Sequence, residues 1–247
     1  MPPTTSFQEG VSAIAEAETA EAKTEAVVQT QDTQIAQTGP RPMDDFEGEI
    51  DKSDLQMPKL NIAQSIGPLS DDFPAGTVVL NKKLVLADKG ERLTIVPVKA
   101  VKYYQEDLEY GGDEIPRKFK TVAEAKAAGL RVEFDNETGT KPEVKACLDL
   151  SLLIRGGEIQ APEFCFEHAG DKYAFALWQI TSWSAYQNAA AKLLTARSMY
   201  LTSFNEREWT LHTEKKKMKN GNSTFIPVLD AGQRTTPEFR NWSQNIL

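Results

Sequence analysis

The chain has 247 residues, a formal net charge of −8 at pH 7 and two cysteines. Cys147 and Cys165 are too few for a disulfide framework, and His168 and His212 do not complete a metal-ligand cluster with them. No apolar run approaches the roughly 20 residues that span a bilayer, and the N-terminus lacks the features of a secretory signal. We therefore expect a cytoplasmic protein with no membrane segment, metal or cofactor.

The charge is concentrated in the first quarter of the chain. Residues 1–56 carry twelve acidic and three basic side chains, whereas residues 57–247 carry 24 acidic and 25 basic ones. The first segment has few large apolar groups with which to offset the entropy of ordering. It is therefore predicted to be a disordered acidic tail, 1–56, followed by a single domain, 57–247. Within the tail, 44–51 mixes carboxylates with Phe46 and Ile50, which suits a docking segment; the alternative is a solvated linker.

Segments rich in β-branched and aromatic residues, bounded by turn residues, predict strands along the domain. They cover 60–66, a hairpin at 76–86 with Asn81-Lys82 in its turn, 92–104, 144–155, 173–181, 203–213 and 223–229. Pro97 cannot donate a ladder hydrogen bond, so 92–104 is an edge strand there or carries a bulge. Asn220-Gly221 predicts a tight turn between the last two strands. The polar segment 106–116 is predicted to be a loop.

Three capping patterns predict helices. Thr121 opens a short helix at 122–128 that Gly129 closes, and Ser184 opens a helix at 185–198. Thr236 and Pro237 begin a short amphipathic helix, with Phe239, Trp242 and Ile246 on one side.

The order of these elements predicts a mainly β (α+β) fold. Five strands, with one helix between the third and the fourth, match the element order of the OB-fold, a partly open five-stranded barrel. The strands before residue 92 are then additions to the barrel. The alternative is a β-sandwich with one covering helix.

Two stretches carry a family resemblance. They are Ala174–Thr195, which reads AFALWQITSWSAYQNAAAKLLT, and Met57–Ser65, which reads MPKLNIAQS. Both resemble bacteriophage proteins encoded among replication and recombination functions, which are regarded as single-stranded DNA-binding proteins. The resemblance implies sequence-independent binding in the host cytoplasm. OB-type proteins of this function commonly carry an acidic, partner-recruiting tail at the C-terminus, whereas here the acidic segment is N-terminal.

Binding of this kind needs cations for phosphates and aromatic faces for bases. Between Trp183 and Trp242, nine Lys or Arg stand against five acids, interleaved with aromatic residues. The predicted nucleic-acid-binding residues are Lys99, Tyr103, Arg155, Arg207, Trp209, Lys215, Lys216, Lys217 and Lys219. The alternative for each aromatic is that it belongs to the core. The alternative for the lysine run is that it only makes the tip of a hairpin soluble.

Catalysis is not expected, because no phosphate-binding glycine loop, dinucleotide turn or zinc-protease helix is present. The predicted function is therefore single-stranded DNA binding, with the acidic tail recruiting replication or recombination proteins and competing with DNA for the basic face. The alternative is a structural or assembly protein of a virion, with a β domain and an unstructured arm. The sequence leaves the oligomeric state open.

Overall fold

The computed structural model describes residues 57–108, 114–156, 164–218, 221 and 223–246. The predicted tail, 1–56, lies outside these residues, as do Lys219, Asn220 and part of the predicted loop. The described chain is mostly β, with one curled, half-barrel sheet and few helices, which confirms the predicted β-rich class. None of the helices in this part of the chain has both the length and the apolarity to cross a bilayer.

Ten strands of the described chain belong to the sheet. They are β1 (Lys59–Ile62), β2 (Val78–Leu80), β3 (Leu84–Ala87), β4 (Leu93–Glu106), β5 (Lys118–Phe119), β6 (Val144–Arg155), β7 (Cys165–His168), β8 (Asp171–Ile180), β9 (Arg207–Lys217) and β10 (Ser223–Arg234). Across the sheet the order is β10-β9-β4-β6-β8-β1-β2-β3, with β5 beside β4 and β7 beside β8. All neighbours are antiparallel except β1 and β8, which are parallel.

The helices are short. They are α1 (Val122–Ala127), α2 (Trp183–Ala185), a π-helical turn (Tyr186–Ala190), α3 (Ala191–Met199) and α4 (Pro237–Gln244). Thr121 caps α1 by accepting a hydrogen bond from the backbone N–H of Glu124 at 3.2 Å, and Thr236 caps α4 in the same way for Phe239. Both predicted caps are thus confirmed.

Most predicted strands are confirmed within a few residues. The prediction for 144–155 matches β6, and 92–104 and 173–181 correspond to β4 and β8. The register of β4 against β6 shifts between Pro97 and Lys99, so the predicted irregularity at Pro97 is a bulge. Asn81 and Lys82 form the turn between β2 and β3 with φ of 52° and 57°.

Three local predictions differ from the structure. Ser182, rather than Ser184, caps the long helix, because its Oγ accepts the N–H of Ala185 at 3.2 Å. A 3₁₀ turn occupies Phe204–Glu206, so β9 begins only at Arg207. The first predicted strand, 60–66, is shorter than expected, because β1 ends at Ile62. The strands before residue 92 join the same sheet through β1, which pairs with β8 where the Leu177 N–H donates to the Pro58 C=O at 2.7 Å.

The main core lies on the inner face of the sheet. Along β6, Leu148, Leu150, Leu152 and Ile154 are fully buried, because alternate residues of a strand point to one face. Trp209 and Leu211 of β9 and the apolar residues of α3, such as Leu193, complete the cluster.

A smaller cluster covers one end of the outer face. Val96, Leu153, Tyr173, Phe175 and Phe239 are its buried members, and Trp242 and Ile246 pack against them. The rings of Phe239 and Trp242 come from α4. Ile246, the third residue predicted for the apolar side of that helix, packs beside them. We call this region the covered end.

The segment that follows β1 is fastened to β10 by the side chain of Gln64. Gln64, just after β1, accepts hydrogen bonds through Oε1 from Phe225 N–H at 2.9 Å and Thr224 Oγ1 at 2.8 Å. Its Nε2 donates to Phe225 C=O at 2.9 Å. The amide therefore satisfies both backbone groups of Phe225, as a neighbouring strand would.

Candidate nucleic-acid interface

The β9–β10 hairpin carries three of the predicted binding residues into solvent. Lys215, Lys216 and Lys217 are exposed at the end of β9. Lys215 lies opposite Phe225 in the ladder. Strand alternation sends Lys216 to the other face. Within the described chain, none of the three lysines has a carboxylate within ion-pair distance; the adjacent Glu214 pairs instead with His212 Nε2 at 3.2 Å.

One further lysine, not predicted from the sequence, lies close to this hairpin. Lys89 Nζ lies 5.3 Å from the centre of the Phe225 ring, a cation–π distance. Two more lysines not predicted from the sequence, Lys82 and Lys83, are exposed at the β2–β3 turn, at the other end of that strand pair from Lys89. We call Lys82, Lys83, Lys89, Lys215, Lys216 and Lys217 the lysine end. None of them forms an ion pair with another described residue, although Asp88 and Glu91 flank Lys89.

A groove of about 460 Å³ opens between the end of β8, the diverging β1 and β10. We call it the seam groove. Its polar lining includes Asn61, Gln64, Lys82, Gln179, Ser182, Ser184 and Thr224, and its apolar lining includes Trp178 and Phe225. Gln64 and Thr224 bind each other, and Ser182 accepts the N–H of Ala185. The groove therefore offers a ligand the Ser184 hydroxyl, the amide oxygens of Asn61 and Gln179 and the Lys82 ammonium.

Lys82 holds an unfavourable backbone conformation at the edge of this groove. Its φ of 57° lies in the left-handed region, which costs a residue with a Cβ about 1–2 kcal/mol. Asn tolerates this region and glycine is favoured there, so the preceding Asn81 suits the turn but Lys82 does not. Lysine therefore does not stabilise the turn, but it places a cation in the lining of the seam groove.

Two further cations, Lys99 and Lys59, lie at the ends of a row of residues that crosses the outer face of the sheet. The register aligns Lys99 with Ser151, Ser151 with Leu177, and Leu177 with Lys59. These four residues form a row across β4, β6, β8 and β1, about 14 Å long at the usual strand spacing. Lys59 and Asn81 exchange two hydrogen bonds of 2.8 Å, so the row ends at the turn that holds Lys82.

The structure does not bring all the predicted site residues together. Ile95 pairs with Trp209. Lys99 of β4 and Lys215 of β9 lie on opposite sides of this pair. At the usual rise per residue of a strand they are on the order of 30 Å apart. Arg155 lies at the covered end, where it binds Asp171 at 2.6 Å and Glu208 at 3.3 Å. Arg207 is half-buried, and Lys219 lies outside the described residues.

The predicted stacking role of two aromatics is corrected by their burial. Trp209 is 1% exposed and faces the main core beside Leu211, so its ring is not open to a base. Tyr103 is 7% exposed, and Lys118 Nζ lies 5.0 Å from its ring centre. Burial, together with the Asp149 carboxylate, raises the pKa of the Tyr103 phenol above its usual range. Trp209 and Tyr103 are therefore buried residues of the domain, which was the alternative to a stacking role.

Exposed rings occur elsewhere and were not selected from the sequence. Trp183 is 64% exposed, and its neighbours Ser182 and Ser184 both line the seam groove. Tyr200, after α3, is 58% exposed. The signal for Trp183 was its position at the start of a helix, beside a capping serine, where a side chain is not required by the core.

The described residues hold no group of three or more His, Cys, Asp or Glu that could bind a metal ion. Comparison with models of known families, with curated proteins and with solved structures found no match to the chain. The function is therefore inferred from the residues and their arrangement.

Proposed function

We propose that the chain binds single-stranded DNA without sequence preference, as an accessory protein of phage replication or recombination. One observation carries the proposal: the exposed lysines of the lysine end form no ion pair with another described residue, and one of them, Lys82, lines the seam groove together with both chain neighbours of the exposed Trp183. Ammonium groups of this kind neutralise phosphates, and an exposed indole stacks on a base.

The fold supports the same proposal. β4, β6, β8, β9 and β10, with a helix between β8 and β9, follow the OB element order, and they are neighbours in the order β10-β9-β4-β6-β8. In OB proteins the face of the second and third strands and the loop between the fourth and fifth bind oligonucleotides. The corresponding parts here are the outer face of β6 and β8, with the row from Lys99 to Lys59, and the lysine hairpin. We accordingly propose an OB-like barrel in which β1 occupies the free edge of the third strand.

Single strands are favoured over duplex because only unpaired bases present a face to Trp183. Lysines bind phosphates as point charges, and the groove offers hydroxyls and amides that suit any base. Sequence preference is therefore expected to be weak. The acidic segment 1–56 is proposed to recruit replication or recombination proteins.

The proposal is tested by fluorescence anisotropy of the full chain with labelled oligo-dT and with duplex of equal length, each at two salt concentrations. We expect oligo-dT to bind more tightly than duplex and its affinity to fall steeply with salt. Equal affinity for both would contradict stacking. Absence of binding, together with assembly into large particles in light scattering, would favour the structural-protein alternative instead.

A further inference from the structure

Two apolar side chains that the fold leaves uncovered lie close to groove-lining residues in the chain. Ile66 is 84% exposed and lies in the chain between Gln64 and Pro68, which both line the groove. Trp183 is 64% exposed and lies between Ser182 and Ser184, which line it as well. Lys82 adds a cation to the lining. A partner that fits these features has large apolar groups among negative charges.

The chain contains one such segment just before the domain. Residues 44–51 read DDFEGEID, with five carboxylates, no cation and two large apolar side chains, Phe46 and Ile50. Carboxylates match the lysine end, and the two apolar groups match Ile66 and Trp183.

The connection is long enough for this segment to reach the groove. β1 begins at Lys59 and lines the groove with Leu60, Asn61 and Ile62. Seven residues lie between Asp51 and Lys59, and the eight steps along the chain span at most about 27 Å when extended. The segment can therefore turn back along β1, whose path to Gln64 covers roughly 17 Å.

We infer that residues 44–51 occupy the seam groove of their own chain, with Phe46 and Ile50 against Ile66 and Trp183 and the carboxylates toward the lysine end. The segment then excludes DNA from the groove, an effect that rests on the proposed function, whereas the docking itself does not. Apparent DNA affinity is lowered in proportion to the fraction of chains that are open.

The test compares two variants of the full chain. Phe46→Ser with Ile50→Ser removes the apolar contacts and keeps every charge; Ile14→Ser with Ile35→Ser is the matched control in the same acidic segment. The first measurement contains no DNA: acrylamide quenching of the Trp183 fluorescence, taken as the difference between each protein and its Trp183→Phe derivative. The second is affinity for oligo-dT at low salt.

We expect the Phe46/Ile50 variant to show stronger quenching of Trp183 and about two- to tenfold tighter DNA binding, as for a weak intramolecular contact at millimolar effective concentration. The control variant should match the wild type in both. Unchanged quenching would overturn the inference. Increased quenching without any DNA binding would uphold the docking and overturn the proposed function. Wild-type quenching that rises on dilution would place the segment on a second copy and overturn the intramolecular arrangement.

Discussion

Two regions of the sheet use similar residue types in opposite ways. At the covered end, Phe239 and Trp242 pack on Tyr173 with ring centres 5.2 Å and 5.4 Å away, and His168 stacks on Trp242 at 4.6 Å. Arg155 is engaged by two carboxylates there. At the lysine end, the cations have no carboxylate partner among the described residues, and the nearby Trp183 is open to solvent.

This difference separates residues that hold the fold from residues free to bind. A ring that contacts several other rings contributes to stability, because aromatic burial and pairing are favourable. A solvated lysine without a carboxylate partner contributes little to folding, so its removal exposes a binding role if one exists. The same kinds of substitution should therefore affect stability at one end and affinity at the other.

The largest effect is expected from Phe239→Ala at the covered end. Phe239 is 6% exposed, and truncating a packed aromatic costs about 3–5 kcal/mol of unfolding free energy. Urea unfolding followed by circular dichroism measures the loss. Affinity for oligo-dT, measured below the unfolding transition, should stay unchanged. A Phe239→Ala protein of wild-type stability would show that α4 is not an integral part of the domain.

The local elements of this fold could be predicted from the sequence, because period-two patterns and capping residues act over short distances. The strand β6 and the caps Thr121 and Thr236 are examples. The burial of Trp209 was also within reach: Leu211 follows it at the spacing of one strand face, with polar residues alternating between them. That alternation places Trp209 on the apolar side of β9.

The arrangement of the site depended on contacts between distant segments, which the sequence pattern does not specify. The antiparallel register at Ile95 and Trp209 separates Lys99 from Lys215, although both are cations on strands. The parallel pairing of β1 with β8 and the engagement of Phe225 by Gln64 create the seam groove. Neither contact leaves a local signature, so Lys82, Lys89 and Trp183 could not be assigned to one site beforehand.

Combined replacement of Lys215, Lys216 and Lys217 by Ala should give the next largest effect. Each lost phosphate contact removes about 0.7 from the salt slope of single-strand binding, so three contacts remove about 2. Oligo-dT titrations at several salt concentrations measure this slope. Stability should change by no more than about 0.5 kcal/mol, because the three side chains are exposed.

The control for this variant replaces Lys120, Lys141 and Lys172, which are also exposed but lie away from the lysine end. It removes the same charge from the molecule and should leave the salt slope near that of the wild type. If both triple variants lower the slope equally, binding depends on overall charge rather than on the lysine hairpin.

Trp183→Ala tests whether the exposed ring contributes to binding. Base stacking on an aromatic side chain contributes about 1–3 kcal/mol, so affinity for oligo-dT should fall by that amount while the salt slope stays the same. Tyr200→Ala is the matched control, because Tyr200 is similarly exposed but its chain neighbours do not line the seam groove, whereas both neighbours of Trp183 do. Equal losses in the two variants would place the bases along the whole helix surface instead.

The smallest effect, and the sharpest in sign, is expected from Lys82→Gly. Glycine relieves the left-handed strain at φ 57°, and after its own entropy cost a net gain of about 0.5–1 kcal/mol in stability should remain. The same change removes a cation from the seam groove, so the salt slope of oligo-dT binding should fall by about 0.7. Stability and binding are thus expected to move in opposite directions.

The covered end supplies a matched turn for this last comparison. Ala169, between β7 and β8, has a φ of 52°, and Ala169→Gly should give a similar gain in stability without any change in DNA binding. Thermal unfolding and oligo-dT titration of both variants make the comparison. If Lys82→Gly stabilises the protein and leaves binding intact, the strained lysine has no part in the interface, and the lysine end reduces to the β9–β10 hairpin with Lys89. If Ala169→Gly weakens binding as much, strain relief rather than charge is the cause, because that substitution changes no charge.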